Sequence, residues 1–464
     1  MMGWKKLGVA VALNAAICGP ALGGEDAEDA QSRIRELERQ MLHMAEQLKA
    51  LQAQVDKAGA ASAASPKNTV EASFKDGLVF SDAGGNWSFR PYVRLQLDNR
   101  NFSPDDFGAD TFSMRRARLG VIGTFFRDFV VRIEGEYAEG NTRLNDGYLE
   151  FNRWKSANIR LGQFKPYYGL ERTQGAMDLN FMERAMSDNV AGSVFDRGFM
   201  VHGEPVAGLY YHIAYVNGTG QNLDENDTEY DNKDLSARLT GNLAQWAGWK
   251  DSVLHAGGWY ATGKQGAGSA VPAVRTEGRG VTFFSTKGTS AARDNTFETQ
   301  IDRTRHGFEM ALAHGPVKLQ GEYINADFDG DGFGRDMSAW YTSVQWLVTG
   351  EHYAGIYKKS AFGRLVPRRN FDSGEGWGAL ELGLRFSAFD ADDFVTGNAA
   401  GTGRLATGLA NSADAWTVGA KWILNPNAQL QLNLVHTSFD DPVTLNGKTD
   451  DHENAMNMRV QFDF

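Results

Sequence analysis

The sequence predicts an all-β fold: a sixteen-stranded antiparallel transmembrane barrel with an N-terminal coiled-coil helix ahead of it. Three observations predict it. First, apolar and polar residues alternate from Trp87 onward. In Met114–Thr124, Leu119 and Val121 share one face while Arg116, Arg118 and Gly120 share the other. Phe129–Tyr137 repeats the scheme, with Arg132, Glu134 and Glu136 opposite Phe129, Val131 and Ile133. A period of two belongs to strands, and charge on the second face means that this face meets water. Second, the connections alternate in length: GTFFRD, EPVAG, HGP and LNPN are turn-like, whereas 217–234, 263–305, 325–338, 387–415 and 437–455 are long and polar. Third, beyond the N-terminus there is no run of about eighteen apolar residues, which excludes a bundle of membrane helices. The mean hydropathy of −0.41 leaves a barrel open, because only every second residue of its strands faces lipid.

Taken in order, Met1–Gly24 has Lys5 and Lys6, a short apolar centre, and small residues at Ala21 and Gly23. It reads as a secretory signal peptide cleaved near Gly24. Cys18 is the only cysteine, so cleavage leaves a chain without disulfides, cysteine–zinc sites or thiol nucleophiles. Ile17 before it fits poorly with a lipoprotein cleavage site. Within 25–56, Ile34, Leu37, Met41, Met44, Leu48, Leu51 and Val55 recur at alternating steps of three and four. That is a coiled-coil seam; a helix packed on its own domain would show a wider stripe. Residues 57–72, with GAASAASPKN at their centre, read as a flexible linker, and 73–464 as the barrel.

The strands are expected at Trp87–Leu97, Met114–Thr124, Phe129–Tyr137, Asp146–Phe151, Asn158–Gln163, Arg197–Glu204, Leu209–Val216 and Leu235–Asn242. They continue at Val253–Thr262, His306–Ala313, Val317–Ile324, Ala339–Leu347, Ala379–Phe386, Trp416–Ile423, Gln429–His436 and Met456–Phe464. Sixteen is an even number, as outer-membrane barrels require, and leaves a water-filled lumen. Trp340, Trp346, Trp416 and Trp422 suit aromatic girdles at the lipid boundary. Val348–Gly378 breaks the length pattern. Either an extra strand lies around Tyr353–Lys358 or this turn is elaborated. The connection Phe164–Asp196 is long enough to fold into the barrel mouth and narrow it.

At this point SFKDGLVF (Ser73–Phe80), RRARLGVIGTFFRDF (Arg115–Phe129), RLGQFKPYYGLE (Arg160–Glu171), NFMER (Asn180–Arg184), GWGALELGLRFS (Gly376–Ser387) and the terminal RVQFDF resemble the phosphate-selective porins of Gram-negative outer membranes. The resemblance runs from Phe74 to Phe464. It implies a homotrimer of sixteen-stranded pores in outer-membrane lipid, multi-pass, with the coiled coil in the periplasm, basic residues on the channel wall and a constricting loop inside.

Anion passage needs positive side chains facing the lumen, spaced so that an anion exchanges water for donors without being trapped. Arginine suits this because its planar fork matches phosphate. By parity Arg94, Arg116, Arg118, Arg132 and Arg160 point inward, as do Arg90 and Arg238; Lys165, Arg172 and Arg184 sit in the candidate constricting loop. Arg116, Arg118 and Arg184 fall within the family-like stretches and are expected at the narrowest part. The plainer reading is that every water-filled lumen carries mixed charge, and Glu134, Glu136, Glu150, Glu309, Glu322 and Glu381 also point inward. The formal charge of −11 decides nothing, since acidic outer loops could dominate it. Asp327, Asp329 and Asp331 have the spacing of a calcium loop, but Ser338 stands where a glutamate should and the flanks read as strands; an acidic solvated loop is the better reading. The histidines show no HExxH spacing, and neither GxSxG nor a phosphate loop is present. The expectation is therefore a pore for small anions such as phosphate or polyphosphate. It is not an enzyme, and needs no cofactor and no nucleic-acid partner. A general or organic-solute pore, and a non-conducting barrel anchoring a tether, are the alternatives.

Overall fold

The computed structural model describes residues 32, 35–37, 39–54 and 70–464, apart from 75–76, 105–106, 141, 193, 222–232, 267–270, 287–296, 298, 331, 373, 397–403 and 446. Sixteen strands close into an antiparallel barrel: β1 (Trp87–Ser103), β2 (Thr111–Phe125), β3 (Phe129–Glu136), β4 (Arg143–Trp154), β5 (Ala157–Phe164), β6 (Asp196–Val206), β7 (Leu209–Val216), β8 (Asp234–Asn242), β9 (Ser252–Gln265), β10 (Ile301–His314), β11 (Val317–Gly330), β12 (Phe333–Leu347), β13 (Ala379–Asp390), β14 (Ser412–Asn425), β15 (Ala428–Leu445) and β16 (Lys448–Asp463). Each pairs with its neighbour in the chain, and β16 returns to β1 in a register running from Asn454↔Ser103 to Asp463↔Arg94. Closure leaves no barrel edge with unpaired backbone groups, which is what a lipid environment demands. Ahead of β1 two short antiparallel strands, Val70–Phe74 with Leu78–Asp82, add themselves to the start of β1 through Phe80↔Phe89.

The alternation seen in the sequence is the alternation of wall faces. Along β10, for example, Arg303, Arg305, Glu309 and Ala311 are buried in the barrel while Phe308, Met310 and Leu312 stand outside. Three expectations need correcting. Residues 325–338 and 437–455 are not open loops: β11 runs on to Gly330 and β12 begins at Phe333, while β15 reaches Leu445 and β16 starts at Lys448. These arms outrun the apolar belt, so both faces can be polar and the sequence contrast fades while the ladder continues. The stretch 57–72 is cut short, since a strand starts at Val70. The open question at 348–378 resolves as an elaborated turn: a 3₁₀ turn at Tyr353–Ile356 and a two-residue hairpin, Tyr357–Lys358 with Ala361–Phe362, fold back inside the barrel.

Much of the interior is filled. Near the long-loop end, Phe283, Phe284, Phe389, Phe394 and Phe439 form an apolar cap along β9–β15. Near the short-turn end, Leu170, Tyr353, Phe362 and Ile423 form a second.

Residues 39–54 form a helix in a separate compact unit, and every described residue of it is exposed within this chain. The described part of the seam includes Leu37, Met41, Met44, Leu48 and Leu51. The basic and apolar start, 1–24, and the centre of the linker lie outside the described residues.

Candidate functional site

The connection 165–195 enters the lumen carrying two one-turn helices, Leu170–Thr173 and Ser187–Val190. Its seat is built from paired glycines. Gly383 on β13 lies opposite Gly419 on β14, and a Cβ on either would stand 3.0 or 2.8 Å from the Phe181 ring. Only bare backbone lets Phe181 approach this wall so closely. The Arg385 guanidinium covers the ring at 4.6 Å and binds Glu277, Glu171 and the Glu183 carbonyl. Asn180 donates to Glu381 at 3.0 Å, Lys421 pairs with Glu381 at 3.0 Å, and Gln461 holds the Met177 carbonyl at 2.8 Å. The loop is thereby fastened to β13–β16, and open space is left on the side of β1–β5.

That space is a chamber of about 860 Å³ at the long-loop end. Of the residues proposed from the sequence, Arg94, Arg116, Arg118, Arg132, Arg160, Lys165 and Arg184 all line it. Most are paired. Arg118 reaches Glu136 at 2.7 Å and Glu134 at 3.2 Å; Arg94 meets Glu134 at 2.9 Å; Arg132 meets Asp146 at 3.0 Å; Arg160 meets Glu150. Arg116 differs. It is 4% exposed, and among the described residues its only hydrogen-bond partner is the Gln96 side chain, with no carboxylate in ion-pair range. Its Nε has no partner among the described residues. Lys165 donates to two carbonyls, Arg172 O and Gln174 O. Burial, with Arg184 beside it, pushes its ammonium well below the usual lysine value. Arg184 likewise spends its donors on the loop, bonding Glu171 O at 3.1 Å and Gln174 O at 3.2 Å.

Arg172 does not line the chamber. It is 2% exposed and ties Asp188, at 2.8 Å, and the Gly192 carbonyl, so it braces the loop. Four lining arginines were not singled out by sequence: Arg115, Arg143, Arg275 and Arg279. Arg143 opens β4, ahead of the strand expected from Asp146. Arg115 is brought inward by a bulge: Gln96 pairs with Arg116 but Leu97 pairs with Met114, leaving Arg115 unpaired. An extra residue in one strand turns a side chain that parity assigns to lipid. Arg275 and Arg279 come from the connection after β9, where no periodicity exists to read. Arg115, Arg459 and Arg279 surround Glu183 at 2.9, 2.7 and 3.9 Å. Burial alone would raise that carboxyl, but the surrounding arginines hold it well below the usual carboxylate range.

A second chamber of about 840 Å³ opens at the short-turn end, floored by the turn 348–378 and the two ends of the barrel. Both chambers are lined by Arg94, Thr173, Gly175 and Asp178. Their junction therefore lies at these residues, whereas Arg116, Arg118 and Arg184 line the first chamber alone. Asp327 and Asp329 project outward from β11, opposite Asp336 and Gly334 in the ladder; Asp331 lies outside the described residues.

A closed sixteen-stranded barrel, narrowed by an inward loop and holding two charge-lined chambers that share a border, has the architecture of an outer-membrane porin. The chain belongs to the phosphate-selective porin O and P family, whose pattern matches residues 89–464. No curated protein matches it. Among solved structures, an anion-selective porin from Comamonas acidovorans is 12% identical with a TM-score of 0.50, covering 82% of this chain and 100% of that one. The outer-membrane channel DcaP of Acinetobacter baumannii is 13% identical with a TM-score of 0.49, covering 83% and 99%. The likeness to the first is one of fold.

Proposed function

We propose that this porin passes small anions, phosphate and polyphosphate among them, through the chamber between β1–β5 and the loop 165–195. The observation that carries this reading is the charge of the chamber. Eleven basic side chains line it against seven acidic ones, in a chain whose formal charge is −11. A local excess of that kind, between low-dielectric walls, concentrates counter-ions regardless of the overall charge. Arg116 and Arg118 stand about 7 Å apart up one strand, which offers successive contacts in place of one deep trap. Arg94, Arg132 and Arg160 extend the wall, Arg184 and Lys165 face it from the loop, and Arg172 holds the loop in place. Reversal potentials in asymmetric KCl across a planar bilayer, followed by phosphate block of the chloride current, test this. A cation-selective reversal potential would sink it, and a silent barrel would favour the anchoring role.

The proposal extends to a homotrimer tied by the N-terminal helices in the periplasm. β3, β5 and β7 have eight residues each, while β15 has eighteen. A tilted membrane strand needs about nine to eleven residues to cross the hydrocarbon, so the low wall around β3–β7 suits burial against a neighbouring barrel. Leu48 on the helix is 68% exposed within this chain, which suits a seam that partner helices cover. Native mass spectrometry should give a trimer. Deleting Ser32–Val55 should weaken it and leave single-channel conductance unchanged.

A further inference from the structure

The tip of β15–β16 carries chemistry that the pore does not use. Along these arms Val435, Thr437, Glu453 and Ala455 are buried in the barrel, so His436, Ser438, His452 and Asn454 stand on the outward face. The ladder sets His436 opposite Asn454 and Ser438 opposite His452. The two histidines are therefore diagonal neighbours, with ring centroids 6.0 Å apart and planes inclined by 37°. Beyond His452 the ladder is irregular: Val443 pairs with Asp450, which leaves 439–442 opposite Asp451 alone. A bulge of this kind frees a side chain from strict alternation. Asp450 and Asp451, successive in sequence, thus both bring an oxygen to 2.9 Å from His452 Nδ1.

Two carboxylates are more than one ring N–H can satisfy, since each imidazole nitrogen carries at most a single hydrogen. One nitrogen and two oxygens converge, with no two of these atoms further apart than 4.8 Å. Metal–ligand bonds of about 2.0–2.2 Å put neighbouring donors on one ion about 3 Å apart, so each oxygen already stands at that spacing from the nitrogen. A fourth donor lies across the ladder. The Asn454 Oδ1 can only accept, and at 2.7 Å it fixes the His436 proton on Nδ1. The lone pair is left on Nε2, the arrangement that prepares an imidazole for a metal. These groups are open to solvent, with the His452 side chain 41% and the Asp451 side chain 74% exposed. The wall proposed to meet a neighbouring barrel is β3–β7, so trimer formation there leaves the tip uncovered. Imidazole combined with carboxylate suits borderline divalent transition metals, whereas calcium and magnesium take oxygen ligands.

We propose that His452, Asp450 and Asp451, with His436 across the ladder, form a binding site for a divalent transition-metal ion such as Zn²⁺ on the outward face of the β15–β16 tip. The ion takes the place of the His452 Nδ1 proton, which leaves to solvent, and ties the two strands together beyond the lipid. The site lies outside the lumen and does not depend on the anion-pore reading. Isothermal titration of the full-length protein in detergent at neutral pH, without a polyhistidine tag, tests it with ZnCl₂ and, separately, CaCl₂. Saturable Zn²⁺ binding is expected in the unaltered chain, with Ca²⁺ much weaker, and Zn²⁺ should slow amide hydrogen exchange at the tip. His452→Gln should abolish the binding. His436→Gln, and Asp450→Asn combined with Asp451→Asn, should each weaken it by at least about tenfold, the scale on which a metal's supporting partners act. Every variant should keep the strand-dominated circular dichroism and the single-channel current of the unaltered barrel, because none of these side chains faces the lumen. Absence of saturable Zn²⁺ binding, the same affinity in His452→Gln, or Ca²⁺ bound as tightly as Zn²⁺ overturns the assignment.

Discussion

The two sides of the lumen use the same residue types to opposite ends. On β13–β16, Arg385, Lys421 and Arg459 are almost wholly buried, each set against carboxylates and loop carbonyls. On β1–β5 the arginines border open space, and among the described residues Arg116 has no acid within ion-pair range. The difference lies in whether the loop 165–195 rests on the wall. Covered, a basic side chain becomes a fastening whose value is that its partners would otherwise be stranded. Uncovered, it remains available to a solute. The loop thus sorts the barrel's cations into a covered set and a set open to the chamber, and the proposal that the second is the conducting set can be tested from both sides.

The largest expected effect is on the covered side. Arg385→Met strands Glu171 and Glu277 beneath the loop. Removing one partner of a buried pair destabilises by about 3–5 kcal/mol, so the temperature at which the folded barrel is lost on heating should fall and the current should become noisy. Anion selectivity should survive. If it vanishes instead, Arg385 belongs to the conducting set and the division fails. Next comes the open side, where Arg116→Ala should weaken phosphate block by about tenfold, the scale of one charge-assisted hydrogen bond, with thermal stability unchanged. Phosphate titration of the single-channel current measures it.

A smaller effect is expected of Lys165. Its ammonium is pushed down by burial and by Arg184, so its charge is present in acid and lost as pH rises through a point below the ordinary lysine value of about 10.4. The anion-to-cation permeability ratio should begin to fall before exposed lysines titrate, and Lys165→Met should abolish that early fall. The smallest change is expected from Arg184→Ala. Since its donors serve loop carbonyls, the permeability ratio should drop only a few-fold, consistent with one partly screened charge. Lys448→Ala, at the β15–β16 tip, should leave the ratio as it was.

The strand pattern was readable because a wall with lipid on one side and water on the other imposes a period of two on every crossing. All sixteen strands followed from it, and so did the inward faces of Arg94, Arg116, Arg118, Arg132 and Arg160. What defeated the reading was local and aperiodic. One bulge brought Arg115 inside, the connection after β9 delivered Arg275 and Arg279, and β11 and β15 ran on beyond the lipid. The role of Arg172 was hidden because position in a loop says nothing of which way it turns. The family-like stretches are instructive here. NFMER supplies Asn180 and Phe181, GWGALELGLRFS supplies Glu381, Gly383 and Arg385, and RVQFDF supplies Arg459 and Gln461. Far apart in sequence, they are opposite sides of one contact.

That contact also bears on the order of assembly. The loop's anchors include Arg385, Lys421, Arg459 and Gln461, up to 284 residues further along the chain than the group they hold, and Arg459 also meets Asp98 across the closing seam. A nascent N-terminal half contains the loop but none of these partners. Seating therefore waits for the last strand, and non-local contacts of such separation form slowly. Until then Phe181 and the carboxylates of the loop stay unmatched. Sealing of the barrel and narrowing of its bore should occur as one late kinetic event, so a chain truncated before β16 should accumulate protease-sensitive at the loop.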